Sequence, residues 1–177
     1  MSNFISIDAE DYNIYLPNAS NEIATLKNLK GVNVEYRDSD ALILGAAGAA
    51  NTITGTFKIT AGGAVTDASE STVTETTTII AQSSDGATDY DITLDHASNN
   101  FSTIEVTGAD VELVDANAIG LGESTVSGTY EVTATAGGSI TNSGPLAITG
   151  AAIFMAANSQ SITLGESNTF SSTVAFS

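Results

Sequence analysis

The sequence predicts an all-β protein: a right-handed parallel β-helix of about 7–8 coils. The alternative is an antiparallel β-sandwich built of repeats. Three observations favour the helix. A long motif recurs along the chain. Within each copy, short segments alternate apolar and polar residues and are separated by Gly-, Asn- and Ser-rich turns. The composition is rich in β-branched and small side chains and poor in proline, of which there are two in 177 residues.

The recurrence is direct. YNIYLPNASNEIATL (12–26) matches YDITLDHASNNFSTI (90–104), and a looser copy returns over 161–174. VEYRDSDALILG (34–45) matches VELVDANAIGLG (111–122). ITGTF (53–57) parallels VSGTY (126–130), and AGGAVTD (61–67) parallels AGGSITN (136–142). The unit is about 70 to 78 residues long, and its length differences fall at Gly, Ser and Asp positions, where loops absorb them.

The chain divides accordingly. Residues 1–11 contain Phe4, Ile5 and Ile7 and read as a lead-in or cap strand. Residues 12–89 form the first unit, 90–160 the second and 161–177 a truncated third, with 12–177 one continuous solenoid. In the first unit, strands are expected to open at Ile14, Val34, Val65 and then Ile92; in the second, at Ile92, Val111, Ile140 and Ile162. A second strand follows each of these, as in STIEVT (102–107), TYEVT (129–133) and LAIT (146–149). Residues 21–29 could be drawn as a helix. Their copy, 99–107, is rich in Thr and Val, so both are read as strand.

Strands with one apolar face must stack that face on something. A sandwich pairs distant strands and has no need of the same motif every seventy-odd residues. Coils of about 20 to 30 residues, stacked at roughly 4.8 Å, do need it. Ile, Val and Leu then fill a narrow interior, while Thr and Ser line the outside. Ala and Gly suit the tight corners.

Charge narrows function. The 21 acidic and 4 basic residues give a net charge of −17. All four cations (Lys27, Lys30, Arg37, Lys58) precede Ile59, and fourteen carboxylates follow it. Such a field repels nucleic acid and anionic membranes. With no Cys, neither disulfides nor thiolate metal sites can form. No apolar stretch approaches a membrane span. The segment from Met1 to Phe4 lacks a basic n-region followed by an apolar run, so no signal peptide is expected there.

The strings DITLDHASNNFSTIEVTGADVELVDANAIGLG (91–122) and STVSGTYEVTATAGGSITNSGPLAITG (124–150) resemble the shaft repeats of filamentous-haemagglutinin-like bacterial surface adhesins. The resemblance covers about residues 12 to 177. It implies a long right-handed β-helix that holds a binding region away from the cell, and hence a secreted or cell-surface location. The chain departs from such proteins in having no recognisable secretion domain in 1–11 and in stopping within a repeat.

Chemistry-bearing candidates are few, and none is assigned as a catalytic, cofactor or metal residue. His96 is the one imidazole, and the other copies put Asn18 and Glu166 in its place, which marks an exposed turn. The sets Asp110/Glu112/Asp115 and Asp89/Asp91 could act on neutral glycans as paired carboxylates. Glu112 and Asp115 have copies in Glu35 and Asp38, however, so they read as a solvated repeat face. An eliminase acting on acidic polysaccharide wants a basic residue, which the later units lack. The loop 84–89 is oxygen-rich enough for calcium but lacks both the glycine nonapeptide and an EF-hand pattern. A Thr array at 72–78 resembles ice-binding faces and is interrupted by Glu75.

The expectation is therefore a non-enzymatic rigid spacer with no cofactor. Its partners would be neighbouring repeats or head-to-tail copies of itself. The alternatives are a glycan-binding module on a Thr/Asn-rich face, with Asn100 and Asp115 as probes, and a self-assembling extracellular filament subunit.

Overall fold

A computed structural model describes residues 3–177, so Met1 and Ser2 of the lead-in segment lie outside the described residues. Among those described there are strands, turns and bends and no helix. The chain winds three strands to a turn. The first turn holds β1 (Phe4–Ile5), a bridge from Asp8 to Lys30, and β2 (Ile14–Leu16). Next come β3 (Thr25–Leu26), β4 (Lys30–Gly31) and β5 (Val34–Asp38), followed by β6 (Leu42–Leu44), β7 (Asn51–Ile53) and β8 (Phe57–Ala61). The fourth turn is β9 (Val65–Asp67) and β10 (Ser71–Ala81); the fifth is β11 (Ile92–Leu94) and β12 (Asn100–Gly108). After these follow β13 (Val111–Asp115), β14 (Ile119–Leu121) and β15 (Ser124–Val126), then β16 (Tyr130–Ala134), β17 (Ile140–Asn142) and β18 (Leu146–Ile148). The last full turn is β19 (Ala152–Met155), β20 (Ile162–Thr163) and β21 (Thr169–Phe170), and β22 (Val174–Phe176) begins another.

Every strand pairs in parallel with the strand one turn above or below, giving a β-solenoid of about eight turns. One nine-stranded sheet, β1-β3-β6-β9-β11-β13-β16-β19-β22, makes the first face. The other thirteen strands form one sheet bent into two faces. The bend is crossed by β10 and β12, each of which spans two faces. Residues 71–73 of β10 pair with β7, and residues 77–81 pair with β8.

Alternation sends every second side chain inward, where parallel register stacks like on like. Leu94, Leu113, Val132 and Phe154 form one such column, with the exposed Phe176 stacked on its end, and Tyr36, Ile59, Ile79 and Val106 form another. The buried residues form a single apolar core running the length of the rod. Corners turn where a side chain has no room. A Cβ on Gly62 would lie 2.1 Å from the Ser39 carbonyl oxygen, and one on Gly138 would lie 2.0 Å from that of Asn117.

The sequence repeat and the winding are out of phase. From β2 to its copy β11 is ten strand positions, and from β11 to β20 is ten more. Each repeat therefore covers three full turns and part of a fourth. The motif opening at Ile14 therefore lies on the bent sheet, its copy at Ile92 on the nine-stranded sheet, and its copy at Ile162 on the bent sheet again, in the same ladder as Ile14. The strands expected to open at Ile14, Val34, Val65, Ile92, Val111, Ile140 and Ile162 each do so. Chain closure sets this phase, because each corner must return the backbone at one turn's rise, whatever motif it carries.

Candidate functional site

The surface feature that repeats with the sequence is a groove across three adjacent turns. In the first copy its wall is a ladder of amides. The backbone and side-chain N–H of Asn33 donate to Asn13 Oδ1 at 3.1 and 3.0 Å, and the amide and hydroxyl of Thr56 donate to Asn33 Oδ1 at 2.9 and 3.0 Å. Beside this wall, Tyr15, Glu35 and Lys58 stand in register on successive strands. Lys58 Nζ lies 3.5 Å from Glu35 Oε1.

The second copy rebuilds this geometry one face further round. The amide of Asp110 donates to Asp91 Oδ1 at 3.2 Å, and that of Thr129 to Asp110 Oδ1 at 2.7 Å. Thr93, Glu112 and Glu131 stand in register alongside. Both grooves enclose about 270 Å³. The chemistry differs: amides have become carboxylates, and Lys58 has become Glu131. Partial burial, followed by the neighbouring Asp95 and Glu131, pushes the Glu112 carboxyl up.

The expected candidates do not assemble into one site. Asp110 and Glu112 face outward, but Asp115 does not. It is buried, with Oδ2 accepting from the Phe101 amide at 2.6 Å and Oδ1 from Asn117 at 2.7 Å. Asp38 is its counterpart, accepting from the amides of Ile23 and Asp40 and from the Tyr36 hydroxyl. The reading of Asp38 and Asp115 as part of a solvated face is thus corrected. Each carboxylate ties the strand end inward to the turn below. Strand alternation carried the signal, since Asp38 shares parity with Val34 and Tyr36, and Asp115 with Val111 and Leu113.

Asp89 and Asp91 are likewise separate. Asp89 accepts from Gln82 Nε2 at 2.8 Å, whereas Asp91 belongs to the second groove. In the loop 84–89, Asp85 Oδ1 accepts from Ser83 Oγ and the Ala87 amide, which closes the turn. His96 Nδ1 accepts from the Ser98 amide at 3.3 Å, the bond that Asn18 Oδ1 makes to the Ser20 amide at 3.0 Å. Imidazole and amide are interchangeable turn caps here. The Thr array at 72–78 is broken by a bulge between Val73 and Thr76, and Thr77 turns inward. Asn100 is half-buried on β12. Among the described residues, no three His, Cys, Asp or Glu side chains are placed to hold a metal ion, and no helix is long and apolar enough to cross a membrane.

Sequence reasoning missed two buried side chains. Asn99 Oδ1 accepts from the Ser71 amide, and its Nδ2 donates to Asp67 Oδ2 and the Leu94 carbonyl. Asn51 accepts from the Leu29 amide and donates to the Leu26 carbonyl. Both satisfy corner backbone groups that face the core.

A parallel three-faced winding with a groove copied from unit to unit defines a β-solenoid repeat protein. More particularly, the chain belongs to the family described as Repeats of unknown function (DUF5649), whose sequence model matches residues 31–107 and 108–177. Both matched units begin at a strand's closing glycine, Gly31 of β4 and Gly108 of β12, which lie on successive faces. No curated protein and no solved structure matches the chain.

Proposed function

We propose that this chain is a non-enzymatic shaft segment, a rigid spacer in a secreted or surface-displayed bacterial adhesin of the filamentous-haemagglutinin-like kind. The observation that carries this reading is the unbroken parallel ladder. Backbone hydrogen bonds run along the axis from β1 to β22 over one continuous apolar core, so bending the rod means breaking several ladders at once. The phase of the repeat adds to this. Successive units open on different sheets, so an asymmetry of one unit is not repeated on the same side by the next.

High negative charge keeps such a rod soluble and opposes side-by-side association. On this reading the partners are further turns of the same kind, in the same chain or in a head-to-tail copy, seated on the strand edges at either end. No cofactor is needed, because the work is mechanical.

The test is a length series. Chains carrying one, two and three extra units, displayed on a bacterial surface with a terminal epitope, should raise that epitope by about 16 Å per unit. Epitope height that does not grow with unit number, or native protein recovered only from the cytosol, overturns the reading.

A further inference from the structure

We infer that the outer surface of β5 and β8, with Tyr15 at one end and Arg37 at the other, binds a short oligosaccharide that carries carboxylates, such as a uronate chain. Strand alternation turns Glu35 and Arg37 outward on β5, and Lys58 and Thr60 outward beside them on β8. A recess opens at each end of this strip. The first is the amide groove of about 270 Å³, walled by Asn13 and Asn33 and bordered by Tyr15. The second, of about 320 Å³, lies between Arg37, Ser39, Thr60 and the loop residues Gln82, Ser83 and Ser84. From Asn33 to Ser39 the strip runs about 20 Å, the length of several sugar rings rather than one.

The side chains of the strip set the chemistry of the ligand. Tyr15 is 66 % exposed and in register with Glu35 and Lys58, so an open aromatic face stands beside a carboxylate–ammonium pair. A pyranose ring offers an apolar face to such a phenol, and vicinal hydroxyls to an acceptor and a donor held together. Arg37 adds the preference for an anion. Among the described residues, Lys30 pairs with Asp8 and Glu10, Lys58 with Glu35, and Lys27 lies over the Phe4 ring, whereas the exposed Arg37 guanidinium has no acidic or aromatic partner. Its planar fork matches a carboxylate bidentately, with the Thr60 and Ser84 hydroxyls alongside for the sugar.

The recess at Arg37 is built by an insertion. Residues 82–90 stand where the second unit has only 157–160. The Gln82 amide donates to the Ala61 carbonyl at 2.9 Å, and Gln82 Nε2 donates to Asp89 at 2.8 Å, which fixes the loop on the end of β8. The second unit keeps the framework and drops the binding groups. Val34, Asp38 and Thr56 recur as Val111, Asp115 and Thr129, while Tyr15, Arg37 and Lys58 become Thr93, Val114 and Glu131. With no Lys or Arg after Lys58, the rest of the rod repels an anionic chain and confines it to this strip.

The experiment titrates the full chain with tetragalacturonate by calorimetry in about 150 mM salt, where long-range repulsion from the polyanion is screened. Arg37→Val and Tyr15→Thr install side chains that the same backbone carries in the second unit, so the melting temperature should stay unchanged. Arg37→Val should weaken binding at least about tenfold and Tyr15→Thr about fivefold. Lys27→Ala removes the same charge outside the strip and should change binding by less than about twofold. Fully methyl-esterified tetragalacturonate keeps the rings without the charge, and tetraglutamate keeps the charge without the rings; each should bind at least about fivefold more weakly. The inference is overturned by no binding of tetragalacturonate at about 5 mM, by equal losses in Arg37→Val and Lys27→Ala, or by undiminished binding in Tyr15→Thr. It is equally overturned if the methyl ester or tetraglutamate binds as well as tetragalacturonate. A rigid spacer functions without this strip, so none of these results bears on epitope height.

Discussion

Asp38 and Asp115 make the same pair of bonds one repeat apart, each accepting the amide of the residue two positions on and an amide from the turn below. The lower donors, Ile23 and Phe101, are themselves copies of one another. A buried carboxylate here acts as a backbone clip between turns. Asp115→Ala should cost about 2–3 kcal/mol, because the Phe101 amide would be left buried without an acceptor. Asn117→Ala removes no side chain used in the clip and should be nearly neutral. Urea denaturation of the two variants checks this, and comparable stability would mean that the clip carries no energy.

Acidification should stabilise the rod before it precipitates it. Burial pushes the carboxyls of Asp67, Glu112 and Asp115 up. Each binds its proton more readily folded than unfolded. Its stabilising contribution is therefore complete below the unfolded value of about 4 and is lost as pH rises through the folded one. Glu70 is shifted down by its own backbone amide and then by Ser69, and Asp85 by the Ser83 hydroxyl and then the Ala87 amide. These two act in the opposite sense, with their contribution lost only as pH falls below about 4. Relief of self-repulsion adds to the first effect. The melting temperature at pH 5 should exceed that at pH 8 by about 3 °C at equal ionic strength; a lower value at pH 5 contradicts the assignment.

Among the described residues three buried hydroxyls have no partner, those of Ser71, Thr77 and Tyr130. Beside Tyr130, the Ser124 hydroxyl is already engaged by the Gly122 carbonyl and the Val106 amide, and Phe57 is the residue that fills the same place one repeat earlier. Tyr130→Phe and Thr77→Val should each stabilise by about 1 kcal/mol. Calorimetry decides the point, and a clear loss in either variant would reveal a bond that these hydroxyls make.

Corner glycines should differ sharply in tolerance. Gly138→Ala places a methyl group against the Asn117 carbonyl and should cost about 2–3 kcal/mol. Gly165→Ala meets nothing within 4 Å and should be silent. If the two variants melt together, corner packing is looser than the stacked backbones imply.

Much of the architecture was legible from the linear pattern. Alternation in VEYRD (34–38) and VELVD (111–115) assigned strands and their inner faces, and the copied motifs required stacking. The parity of those two strings also carries the burial of Asp38 and Asp115, against the usual solvation of a carboxylate at a strand end. The groove was harder to read. Asn13, Asn33 and Lys58 come from three different turns, and only the register of the parallel ladder brings them side by side.

What the sequence alone determined was the class: an all-β chain of repeated half-apolar strands, strongly acidic, with its cations confined to the first third. Alternation and composition are local properties, and they survive without knowledge of how the chain closes. The tertiary structure decided the phase between repeat and winding, and with it the face on which each copy lies. That phase depends on the summed geometry of ten strands and their corners, which no single segment encodes. It places the amide groove and the carboxylate groove on different sides of one rod.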